Sequence, residues 1–233
     1  PRAAEAGRPA RYRFRAPPLE PPMYRAAYAL SEGERRGVRE AFKRFAGSLG
    51  FEKLDKDRFR WQAPPGCALD LHCVYEAAAA RSGADLAPLA GLFRAHAKAK
   101  KLTSLEAADL VVSFVQSIHY EVPDEPFGLL APALVASEGR GDCDSKSLLA
   151  LVLLHELGID GVLLTSDAHH HAMLGVPLPV DGTSLELAGR RYAFTECTAV
   201  GWPIGRVDPM LLHPDDWRAT KVRFRARSKK KRH

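Results

Sequence analysis

The segment Gly139-Arg140-Gly141-Asp142-Cys143-Asp144-Ser145-Lys146-Ser147 runs without a break into Leu148-Leu149-Ala150-Leu151-Val152-Leu153-Leu154. Glycines and an aspartate favour a turn and a helix cap, and the apolar run behind them reads as a buried helix from about Cys143 to Leu157, closed by Gly158. The run is far short of the roughly 20 apolar residues a membrane helix needs, so it belongs to a core. Cys143 falls in the first turn. Amides and the macrodipole at a helix start stabilise a thiolate, the nucleophilic form of cysteine, and the same amides can hold an oxyanion. A buried cysteine with a purely structural role is the alternative at this point. Asp142 and Asp144 read first as caps, though they could also set substrate charge or coordinate a cation.

Downstream of Ile159 the apolar period changes. Gly161–Thr165, His169–Val176 and Arg191–Thr195 have strand character, with Val180-Asp181-Gly182 as a turn. Strand alternation would put His169 and His171 on one face and His170 on the other. Glu196 follows Tyr192-Ala193-Phe194-Thr195 at the end of the next strand. A nucleophile at a helix start, a base on one strand and an acid on its neighbour form a constellation suited to covalent catalysis. Upstream, Thr103 and Glu106 form a capping box ahead of the stripe Leu105, Ala108, Val111, Val112, Val115 and Ile118. Ser31 and Glu34 form another, ahead of Val38, Phe42, Phe45 and Leu49. Residues 85–100 also look helical. Helices first and strands later indicate an α+β fold. Residues 1–22, rich in Arg, Ala and Pro, read as an extended arm.

The run 141–147, the helix ending in Glu156-Leu157-Gly158-Ile159, the strand His171-Ala172-Met173 and the segment Tyr192 to Thr198 together resemble the transglutaminase-like cysteine-protease superfamily, over about residues 103–205. The resemblance implies a papain-like α+β core with the nucleophile Cys at the N-terminus of a buried helix packed on an antiparallel sheet. It implies that Cys143 is the nucleophile, His171 the base in preference to His169, and Glu196 the third member. Gln116 lies where related folds place an oxyanion-hole side chain, although a solvated helix position would serve it equally. Many members carry an aromatic residue where this chain has Met173, and Asp where it has Glu196. The domain limits that follow are a mainly helical region 23–102, a catalytic core 103–217 and a basic tail 218–233.

The activity implied is thiol-dependent acyl transfer on an amide bond of a peptide or protein substrate, without a cofactor or metal. Hydrolysis is favoured over transfer to an amine, because nothing suggests an elaborate domain for a second substrate. The alternative is a catalytically silent module that binds peptides or envelope components. A zinc hydrolase built on Asp167 and the three consecutive histidines is a third reading, weakened by the lack of His-x-x-x-His or paired cysteines. Trp202, between Gly201 and Pro203, would shape a turn over the site or serve the core.

With 46% apolar and 27% charged residues in 233, the chain can bury a substantial core. Its net charge of +6 is concentrated at the ends. Eight Lys and Arg lie between Lys221 and His233, and five Arg against Glu5 lie between Pro1 and Arg15, which leaves the body acidic. That is not the footprint of a nucleic-acid-binding face, and no nucleic acid is expected as a partner. The tail could touch a membrane surface, with a solvated terminus as the default. Cys67 and Cys73 would pair in an exported protein, but two buried thiols are the favoured reading. A start at Pro1 and the Pro-rich arm lean towards an exported or membrane-tethered bacterial protein.

Overall fold

Side chains alternate along Ala10–Phe14 (β1), with Ala10, Tyr12 and Phe14 inward and Arg11 and Arg13 outward. The strand pairs antiparallel with Tyr24–Tyr28 (β2). In this computed structural model, which describes residues 9–17, 19–55, 58–68 and 71–224, the expected arm is therefore a packed hairpin over its described part. Its aromatic rings decide this: Tyr12 and Phe14 stand 4.8 and 5.7 Å from Phe114, in the middle of the core. The expected basic tail lies outside the described residues from 225 onward.

The two capping boxes form as expected. Glu34 N–H donates to Ser31 Oγ at 3.3 Å, and Ser31 N–H donates back to Glu34 Oε2 at 2.7 Å, which starts Glu32–Ser48 (α1). A small ribbon follows, Glu52–Lys53 (β3) with Phe59–Arg60 (β4). Then come His72–Ala79 (α2), Ser82–Asp85 (α3) and Ala87–Lys100 (α4). Thr103 and Glu106 cap Ser104–Gln116 (α5) in the same reciprocal way. The chain then makes His119–Tyr120 (β5), Pro132–Glu138 (α6) and Arg140–Gly141 (β6), with β5 and β6 parallel.

Asp142 caps Cys143–Glu156 (α7), its Oδ1 accepting from Ser145 N–H at 3.0 Å. From Ser145 to Leu154 every residue of α7 is buried. The helix lies between α5 and α6 on one side and the main sheet on the other. That sheet comprises Val162–Ser166 (β7), His171–Val176 (β8), Ser184–Leu187 (β9), Arg190–Thr195 (β10) and Arg218–Thr220 (β11). Its order is β11-β7-β8-β10-β9, antiparallel throughout. The fold is α+β.

One apolar cluster runs from Ala10 to Val222, so region 23–102 shares its core with the rest, and β11 carries the sheet past the expected limit at residue 217. Cys67 and Cys73 form a disulfide, against the favoured reading of two thiols. Leu71, with φ of +52° and its N–H on the Cys67 carbonyl, turns the chain so that the start of α2 faces Cys67. Among the described residues no helix is long and apolar enough to cross a membrane.

Candidate active site

Cys143 stands at the first position of α7, a free thiol only 8% exposed. Its sulfur accepts the Ala172 N–H, so the start of β8 lies against it. The neighbour of Ala172 is His171, the first residue of that strand. His171 Nε2 lies 2.8 Å from Glu196 Oε2, across the pairing of β8 with β10. The other oxygen of Glu196 accepts from the N–H and the hydroxyl of Thr198, both at 2.6 Å. Burial raises the Glu196 carboxyl, but the hydrogen bond and charge of His171 and the Thr198 bonds outweigh it and hold the group below its ordinary value. An ionised carboxylate only accepts, so the His171 Nε2 that faces Glu196 carries a proton. The pairing of His171 with Glu196 thus lies where β8 begins, next to the end of α7 that carries Cys143.

The other histidines are placed differently from the alternation argument. The strand begins at His171, and Asp167–His170 form the turn before it. His169 pairs with Asp216 at 3.1 Å and stacks on Trp217, while His170 takes a left-handed conformation with φ of +46°. The three side chains thus do not converge, and among the described residues no group of three His, Cys, Asp or Glu is placed to hold a metal ion.

Two acids change the expected electrostatics. Burial, then Asp144, then Asp142 push the Cys143 thiol well above its ordinary value, overriding the pull of the helix start. The thiol points at Asp144 Oδ1, 3.7 Å away, and Tyr75 donates its hydroxyl to Asp144 Oδ2 at 3.1 Å. Asp144 is raised by burial, against the hydrogen bonds of Tyr75 and Cys143 and the charge of His171. Burial and Asp144 push Asp142 up to about 6. A resting Cys143 is therefore a thiol, and its proton leaves only when a base takes it.

Gln116 does not supply an oxyanion donor. It is 2% exposed, and its Nε2 donates to the carbonyls of Glu196 and Trp202 at 2.9 and 2.8 Å, while its Oε1 accepts from Gly201 N–H at 3.0 Å. Those bonds hold the loop that follows Glu196. Trp202 is partly buried there, with Arg206 over its ring.

Lys146, for which the sequence suggests no role, lies beneath the site. It is wholly buried, and its Nζ donates to the carbonyls of Ile118 and Gln116 at 2.9 and 3.4 Å. Burial pushes it down to about 8, against the raising influence of Cys197, Glu196 and Cys143. A lysine inside the most apolar helix of the chain was the available signal. Beside His171 an open pocket of ≈ 460 Å³ is lined by Ala168, His169, Asp208, Met210 and Leu211. A larger cavity of ≈ 1290 Å³ lies at the other end of α7, against Phe42, Phe45, Val152, His155 and Phe224, away from these groups. No family model, curated protein or solved structure matches the chain.

Proposed function

We propose that the protein is a thiol-dependent acyl-transfer enzyme acting on amide bonds, a cysteine peptidase or amidase with a papain-like core of the transglutaminase-like type. The observation that carries the reading is the 2.8 Å pairing of His171, at the start of β8, with Glu196, just past the end of β10, beside Cys143. Cys143 attacks the carbonyl carbon as its proton passes to His171 Nδ1, and Glu196 stabilises the imidazolium. The tetrahedral intermediate collapses to a thioester, and the leaving amine takes the proton from His171. Water, deprotonated by the same imidazole, then releases the acid and restores the thiol. The carboxylates around Cys143 favour this concerted use of His171 as a base over a resting thiolate–imidazolium pair. The Cys67–Cys73 bridge supports an exported protein, since such bonds persist in oxidising compartments.

Adduct mapping after iodoacetamide at neutral pH tests the reading. Cys143 should react well ahead of Cys197, which is wholly buried, and His171→Ala should remove that advantage. Equal, slow labelling of both thiols would instead favour the catalytically silent peptide-binding module. A labelled primary amine offered with a protein extract separates the two enzymatic outcomes, because only a transferase leaves stable conjugates.

A further inference from the structure

With the Gln116 amide bonded to the 196–202 loop, the oxyanion formed on attack needs another side-chain donor. The Tyr120 side chain lies near enough to Cys143 for the two groups to act on each other electrostatically, while the residue as a whole is 50% exposed. It thus reaches the nucleophile from the side open to a substrate. Its position is fixed by backbone geometry. Tyr120 stands opposite Gly141 in the parallel pairing of β5 and β6, with His119 N–H on the Gly139 carbonyl at 3.2 Å and Glu121 N–H on the Gly141 carbonyl at 3.1 Å. A side chain at Gly141 would press on Ser145 Cβ at 3.2 Å and Val135 Cγ1 at 3.3 Å, so this approach is built for glycine. Lys146 holds the Ile118 carbonyl two residues upstream.

We propose that Tyr120 is a catalytic residue, its phenolic O–H donating to the carbonyl oxygen of the group being attacked by Cys143 as that oxygen gains charge. The proposal rests on the acyl-transfer reading above and supplies the side-chain arm of its oxyanion site. No bond is made to Tyr120. The oxygen that gains charge is one bond beyond the carbon that the sulfur attacks, within the space that Tyr120 shares with Cys143. Burial, together with Cys143, Asp142 and Asp144, pushes the phenol up to about 12, so it keeps its proton at any working pH. A neutral donor also suits a site whose nearest charges are negative.

Two reagents separate this role from others. p-Nitrophenyl acetate acylates a thiol through a tetrahedral oxyanion, whereas iodoacetamide alkylates it by displacement without one. In Tyr120→Phe, which removes one oxygen from a half-exposed ring, the p-nitrophenolate burst rate should fall about 10- to 1,000-fold. Alkylation of Cys143 should change less than about threefold, with an unchanged melting temperature reporting the intact fold. A parallel fall in both rates would overturn the proposal by showing that Tyr120 tunes the thiol, and no fall in either would overturn it as well. If wild-type Cys143 is acylated by neither the ester nor any amide, the acyl-transfer reading itself fails, which is visible before the variant is made.

Discussion

In the proposed mechanism Glu196 makes no bond to a substrate, and its carboxylate acts through the Nε2 of His171. Glu196→Gln keeps the size and an accepting oxygen but not the charge, and turnover should fall about 100-fold or more with near-normal folding. By the same mechanism Cys143→Ala should lose turnover altogether, since the other free thiol among the described residues, Cys197, is wholly buried. The lowered Glu196 carboxyl also has a stability signature. A depressed folded-state value means stability present above the unfolded value and lost as pH falls through the folded one. Urea midpoints at pH 7 and pH 3 should therefore differ less in Glu196→Gln than in wild type. Lys146 has the opposite sign of linkage. Its folded value of about 8 lies below the 10.5 of the free side chain, so the unfolded chain binds more protons between the two, and the burden on the fold lifts as pH rises. That burden is about 3 kcal/mol at neutral pH. Relative to Lys146→Met, wild-type stability should climb between about pH 8 and pH 9.5; a constant difference would show that the ammonium is not under strain.

At the scale of elements, the segment after β10 is set by two backbones passing close together. Gly205 has φ of +91°, its N–H donates to the Phe194 carbonyl at 2.8 Å, and a side chain there would stand 2.3 Å from the Asp181 carbonyl oxygen. Gly205→Ala should cost at least about 2 kcal/mol in urea denaturation and lower turnover, because Phe194 lies two residues before Glu196. Gly37→Ala, in the middle of α1 with open space around it, should instead stabilise by roughly 0.5–1 kcal/mol. The contrast explains what could be read in advance. The starts of α1, α5 and α7 were legible because Ser31, Thr103 and Asp142 bond within three residues of themselves. The helix start at Cys143 and the two neighbouring strands that hold His171 and lead to Glu196 were legible from the change of apolar period after Ile159. The turn at His169 and His170 was not, since an apolar run does not mark where its strand begins. The hairpin of β1 and β2 was hidden as well: its Arg and Pro content reads as solvated, and only burial against Phe114 reveals which side faces inward. Gln116 was misjudged for a related reason, its partners lying 80 and more residues away.

Across the whole molecule, the Cys67–Cys73 bridge closes a short loop at the start of α2, and Tyr75 on that helix reaches Asp144 beside the nucleophile. Loop-closure entropy for a ring of this size is worth about 2 kcal/mol, so reductant should lower the melting temperature, and Cys67→Ser should match reduced wild type. An unchanged transition would place the bridge outside the cooperative unit. The N-terminal hairpin has a consequence of another kind. The Tyr12 hydroxyl donates to the Ala136 carbonyl, 124 residues on, and Leu30 N–H donates to Ser137 Oγ, 107 residues on. Synthesis runs from the N-terminus at about 5–20 residues per second, so Tyr12 is made roughly 6 to 25 s before Ala136. Throughout that interval the hairpin is an amphipathic ribbon with arginines on one side and exposed aromatics on the other, a target for any chaperone that recognises nascent apolar surface.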